Sequence, residues 1–100
     1  MLLAFSISPQ TSDQPDGSVS QAVAAAVKVV RESGLPNETT SMFTTVEGEW
    51  EEVMAVVKRC VDAVAEHTPR ISLVMKADIR PGHTGQLTAK VERIEKILDS

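Results

Sequence analysis

One hundred residues, 42% of them apolar, suit one domain and are too few for two. Ten Lys and Arg against fourteen Asp and Glu leave a net charge of −4 and a pI near 5.1, which excludes the basic footprint that nucleic acid requires. Phe5, Phe43 and Trp50 are the only aromatic residues, too few for a base-stacking platform, and the single Cys60 excludes an internal disulfide and a cysteine zinc site.

The N-terminal MLLAFSIS lacks the basic start of a signal peptide. No apolar run approaches the ~20 residues of a membrane helix, so a cytoplasmic protein with no membrane or nucleic-acid partner is expected. Residues 2–8 alternate: Leu3, Phe5 and Ile7 point one way, and Leu2, Ala4, Ser6 and Ser8 the other, which predicts a strand. Residues 9–17, rich in Pro, Ser, Asp, Gln and Gly, predict a loop. Ser18, with Gln21 three residues on, predicts a capping box opening a helix whose inward stripe is Val19, Val23, Ala26, Val27 and Val30. Gly34 and Pro36 then stop that helix.

The threonine-rich stretch 37–48 predicts two short strands, 37–42 and 43–48, or one bent strand, since no Asn-Gly or Asp-Gly marks a turn. A second helix is predicted over 49–66. Its first turn carries Glu49, Glu51 and Glu52 at the positive end of the dipole, and its inward stripe is Trp50, Val53, Met54, Val57, Val61 and Val64. Residues 70–80 form the clearest strand, with Ile71, Leu73, Met75, Ala77 and Ile79 on one face and Ser72, Val74, Lys76, Asp78 and Arg80 on the other. A loop containing Pro81, Gly82 and Gly85 precedes a last helix over 86–98, with Leu87, Val91, Ile94 and Leu98 at helical spacing.

This order, β-α-β-β-α-β plus a terminal helix, predicts a single α+β domain over 1–100: a ferredoxin-like antiparallel sheet with two helices on one face. The opposite face carries Ser6, Ser8, Ser72, Lys76, Asp78 and Arg80, joined by Thr45 and Glu47 if Val46 points inward. Two readings of it stand open. It is a solvated polar face, as antiparallel sheets commonly have, or it packs on another subunit with a ligand between, which the apolar Leu2, Ala4 and Val74 favour. Glu47 likewise either binds a cation or the N–H edge of a heterocycle, or sits at the positive end of the second helix.

The stretches LLAFSISP, ESGLPNETTSMFTTVEGEWEEVM and RISLVMKADIRPG together resemble the thiamine-binding protein family over residues 2–98. That resemblance implies a ferredoxin-like subunit that pairs through its open sheet face into homodimers or homotetramers. It implies binding of thiamine or its hydroxymethylpyrimidine part, without catalysis or a resident cofactor. By the same resemblance Ser6, Ser8, Thr44, Glu47, Lys76, Asp78 and Arg80 are expected at the ligand or subunit contact, and Thr45 joins them from its place on the polar face. Two positions depart from the family pattern: Pro9-Gln10-Thr11 replaces Pro-Leu-Gly, and Phe43 stands where many members have glycine. Phe43 is either a stacking surface or part of the core, and its size favours the core.

Catalytic motifs are missing: there is no P-loop, G-x-G-x-x-G or H-E-x-x-H. His67 is expected at the end of the second helix and His83 in an exposed loop, with no metal site. Cys60 is expected as a small core hydrophobe. The leading expectation is a non-catalytic small-molecule binding protein. The alternatives are a metabolite-responsive interaction or regulatory module and a small cofactor-free enzyme using Asp78 between Lys76 and Arg80.

Overall fold

A computed structural model describes residues 1–99. Seven elements follow one another: β1 (Leu2–Pro9), α1 (Ser20–Glu32), β2 (Asn37–Thr39), β3 (Thr44–Glu47), α2 (Trp50–Ala65), β4 (Ile71–Asp78) and α3 (Gln86–Leu98). The strands form one antiparallel sheet in the order β2-β3-β1-β4, the ferredoxin-like arrangement. β1 pairs with β4 along its whole length, from Leu2 opposite Asp78 to Pro9 opposite Ile71. β3 covers only its first half, from Leu2 opposite Glu47 to Phe5 opposite Thr44. No described helix is long and apolar enough to cross a membrane.

The strand period places the core. Leu3, Phe5 and Val46 share the face covered by α1 and α2, where they pack with Ala22, Ala26 and Val30 of α1 and with Val53, Val56, Val57, Cys60 and Val64 of α2. Gly34 takes a left-handed φ of 80° just after α1, the expected stop.

Several expectations are corrected. α1 begins at Ser20, and the Ser18–Gln21 capping box does not form; Val19 stands at the N-cap position without a side-chain bond. Ser18 is held in its own loop instead. Its N–H donates to the Asp16 carboxylate at 2.9 Å and its carbonyl accepts the Ser12 hydroxyl. Val19 and Val23 stay substantially exposed, because α1 buries its alanine flank, Ala22 and Ala26. The hairpin is two strands, not one bent strand. Its turn is closed by Thr40, whose N–H and hydroxyl both donate to the Phe43 carbonyl at 2.9 Å. That side-chain turn replaces the missing Asn-Gly signal.

α2 buries Val56 and Cys60 and leaves Trp50 exposed on its first turn. Met75, Ala77 and Ile79, expected inward, are exposed, because only Ile71 and Leu73 of β4 pack against the core. His67 does not serve the end of α2 with its ring. Its Nδ1 pairs with the Asp13 carboxylate at 2.8 Å, which ties the loop after β1 to the end of α2. Beside it the buried Thr68 hydroxyl donates to the Arg70 carbonyl and accepts the Thr11 N–H.

α3 matches the predicted range, but none of its residues is buried. The radius of gyration is 15.3 Å, above the ~13 Å usual for 100 residues, and the longest dimension is 52 Å. A helix of this length spans about 20 Å, so a projecting α3 accounts for the excess.

Cys60 is fully enclosed, its thiol facing the Ala26 carbonyl at 3.4 Å, and burial pushes its pKa up to about 11. Only the thiolate is reactive. Iodoacetamide should therefore modify native protein no faster than the chain opens, and labelling at the rate of a free thiol would show that this part of the core is not closed.

Candidate functional site

The register sorts the expected site residues. Leu2, Ala4, Ser6 and Ser8 alternate with the buried Leu3 and Phe5, so they face away from the helices. Their cross-strand partners share that open face. One row runs Glu47, Leu2, Asp78; the next runs Thr45, Ala4, Lys76; then come Ser6 beside Val74 and Ser8 beside Ser72. Six expected residues thus lie on one face: Ser6, Ser8, Thr45, Glu47, Lys76 and Asp78. Thr44 does not join them. It pairs with Phe5 and so points to the helix side. Arg80 lies beyond the end of β4, in a 160 Å³ recess with Trp50 and Ile79.

The row nearest α3 is already engaged. Glu47 is 7% exposed, and its carboxylate receives two backbone N–H groups at the start of α3, Gln86 at 2.9 Å and Leu87 at 3.3 Å. Gly85, at a left-handed φ of 67°, occupies the N-cap position and offers no side chain, so Glu47 supplies the cap from 38 residues away (85 − 47). Its charge also suits the positive helix end. One helical turn further, the Lys90 ammonium pairs with the Asp78 carboxylate. The start of α3 therefore passes from β3 towards β4 across one end of the open face. Sequence reasoning missed this placement, and its single local hint is a glycine where a capping Ser or Asp would ordinarily stand.

Beyond that row the face is a shelf. Ala4 and Val74 form an apolar strip flanked by the Ser6 and Thr45 hydroxyls and the Lys76 ammonium. Among the described residues the side chains of Ser6, Ser8, Thr45, Lys76 and Arg80 make no hydrogen bond or ion pair, and the Ser8 carbonyl is engaged by the Gln10 amide. Next to it, between the starts of α2 and α3, a cleft of about 510 Å³ is walled by Leu35, Pro36 and Leu87 with Glu49, Glu52 and His83. Its Glu52 carboxylate accepts the Glu49 N–H as a helix cap. His83 lies in the exposed loop, as expected, with Nδ1 3.2 Å from the Pro81 carbonyl. No group of three or more His, Cys, Asp or Glu suited to a metal occurs among the described residues.

The family model described as thiamine-binding protein matches residues 3–95. The chain belongs to the thiamine-binding protein family. It is 50% identical over 99 residues to the UPF0045 proteins of Mycobacterium bovis and Mycobacterium tuberculosis, covering 98% of this chain and 94% of each relative. A UPF0045 protein of Synechocystis is 39% identical over 84 residues, covering 83% of this chain and 69% of its own. Among solved structures, a domain of unknown function from Bacillus cereus superposes with a TM-score of 0.82 at 30% identity, over 92% of this chain and 86% of that one. A Thermotoga maritima protein provisionally assigned to thiamine biosynthesis or salvage superposes at 0.73 with 26% identity, over 94% and 99%.

Two outcomes check the α3 anchorage. Glu47→Ala removes the acceptor of two backbone N–H groups and should weaken the docking of α3 by about 1–3 kcal/mol. Amide exchange should rise at the start of α3 and stay unchanged in β1 and β4; unchanged exchange in α3 would deny Glu47 this role. At the other contact, the Lys90 hydrogen bond and then the Lys90 charge hold the Asp78 carboxyl below the usual carboxylate range, with Arg80 and Lys76 adding to the effect. A depressed carboxylate favours the folded arrangement above its ordinary pKa and loses that contribution as pH falls through the lowered value. Carboxyl NMR should show Asp78 titrating below a free carboxylate and should show the midpoint rise in Lys90→Met.

Proposed function

We propose that this chain is a non-catalytic binding protein for thiamine or its hydroxymethylpyrimidine part, held on the open sheet face and enclosed by a second copy of the subunit. The observation that carries the reading is the shelf: an apolar strip of Ala4 and Val74 with unpaired hydroxyls and one ammonium beside it. A heterocycle lying on the strip would find hydroxyl partners in Thr45 and Ser6. Ligand sites take this form, with apolar walls and a few polar anchors. A single sheet face buries only one side of a ring, so a covering subunit supplies the other. The family membership and the thiamine assignment given to the Thermotoga maritima protein agree with this ligand class.

The chemistry favours binding over catalysis. Asp78 is held ionised by its cationic neighbours, which makes it a weak general base near neutrality. The Cys60 thiol is buried and protonated there. A second reading, an interaction module responsive to the same ligand, draws on α3. Val91, Ile94 and Leu98 are each more than half exposed on it and offer an apolar surface to a partner.

Isothermal titration of the purified protein with thiamine and with hydroxymethylpyrimidine should show saturable heat, and native mass spectrometry should show dimers or tetramers carrying ligand. Lys76→Ala and Thr45→Val should each weaken binding roughly tenfold, the scale of one polar contact worth about 1.4 kcal/mol. Folded protein giving no heat at millimolar ligand would sink the thiamine reading.

A further inference from the structure

The cleft between the starts of α2 and α3 joins an apolar wall to a set of carboxylates. Its floor is bare backbone at Gly48. A methyl group there would stand 3.4 Å from Leu35 Cδ1 and 3.5 Å from Glu52 Oε1, so an apolar side chain and a carboxylate meet over one position that carries no side chain of its own. Pro36 and Leu87 extend the wall, and the volume of about 510 Å³ is that of a small-molecule site. The lining holds Glu47, Glu49 and Glu52 and no lysine or arginine. The Met1 ammonium, on the Gly48 carbonyl at 2.8 Å, and the two helix starts, each worth about half a charge, offset only part of these carboxylates. An anion is thereby excluded, and a cation is drawn in.

Two further observations define the head group of that cation. First, the polar side chains still open to a guest can all accept a hydrogen bond. His83 Nδ1 lies 3.2 Å from the Pro81 carbonyl; a carbonyl only accepts, so Nδ1 carries the hydrogen and Nε2 of the neutral ring is an acceptor. Among the described residues the Thr84 and Thr88 hydroxyls make no hydrogen bond, and the Thr84 carbonyl accepts from the Gln86 amide at 3.1 Å. Second, neither carboxylate beside the apolar wall offers a free pair of oxygens. Glu47 gives one to the Gln86 N–H and the other to the Leu87 N–H, and Glu52 gives Oε1 to the Glu49 N–H at 3.1 Å. A guanidinium is matched to the open fork of one carboxylate. An ammonium is a point charge with three donors and no acceptor, and takes single oxygens from several groups. A metal ion would leave the apolar wall unused and finds no cluster of ligands among the described residues.

We infer that this cleft is a binding site for a small aliphatic primary amine, whose ammonium is held by the Glu52 carboxylate and the threonine hydroxyls while its carbon chain lies along Leu35, Pro36 and Leu87. The site is off the sheet shelf and takes a different head group, so it stands or falls independently of the thiamine reading.

The probe is hexylamine, titrated into the full methyl-labelled chain and followed by NMR. The expected result is saturable shifts at the Leu35 and Leu87 methyl groups. Butylamine, two methylenes shorter, should bind about tenfold more weakly, and hexanol, which lacks the charge, should also bind more weakly. Glu52→Gln keeps an oxygen for the helix cap and removes the charge; it should weaken hexylamine about tenfold and leave hexanol unchanged. Should that variant fail to fold by circular dichroism, Thr88→Phe, which fills the cleft from the exposed α3, should abolish the hexylamine shifts. Equal affinity for hexylamine and hexanol, undiminished affinity in both variants, or no shift at millimolar hexylamine would overturn the inference. Tighter binding of Nα-acetyl-lysine methylamide than of hexylamine would assign the ammonium to a partner protein's lysine and overturn it as well. Thiamine binding is read separately, at Ala4 and Val74, so hexylamine shifts confined to those two methyl-bearing residues would overturn this site and leave the proposed function untouched.

Discussion

The Glu47 carboxylate is the interaction on which the layout of the functional face depends. It is buried and charged, and it meets two N–H groups of a helix that has no capping side chain of its own. An ionised carboxylate out of water needs such partners, and the start of α3 needs an acceptor. Each group satisfies the other. Together with the Asp78–Lys90 pair this brings a helix with no buried residue across the sheet. Without that tie, little else in the chain would fix where α3 begins.

The period-2 pattern is what made most of this legible in advance. Leu3 and Phe5 against Leu2 and Ala4, and Val46 against Thr45 and Glu47, were enough to sort two faces, and the pairing of β1 with β3 and β4 places them as the alternation implies. The range of α3 was legible for a similar reason, since Leu87, Val91, Ile94 and Leu98 repeat at helical spacing after a Gly-rich loop. Resemblance puts Thr44 in the ligand set, but its register with Phe5 places it on the opposite side from Glu47.

What stayed hidden has physical causes. Ser18 and Gln21 have the composition of a capping box, but the loop before them uses Asp16 and Ser12 to hold Ser18 in another geometry. Local hydrogen bonds of this kind compete with helix caps, and sequence spacing does not reveal which one forms. Asp13 with His67, and Glu47 with Gln86, are separated by 54 and 39 residues. No periodicity reports on such pairs. The inward stripe of α1 was displaced because two strands of unequal length leave part of one helix flank without a sheet to pack on.

The unequal lengths of β1 and β3 also decide how the two faces of the sheet can be used. Where both strands are present, the row from Glu47 to Asp78 gathers charge on the open side, and its ions find partners in α3. Where β3 is absent, the helix side opens into a cavity whose lining holds no ionisable group. Charged and uncharged chemistry are thus separated by the thickness of one sheet. In the proposed reading that separation matters for specificity: a cation would be stripped of its hydration, without compensation, on the helix side. An uncharged ring incurs no such cost there, because the cavity floor of Phe5, Ala26 and Val30 belongs to the core.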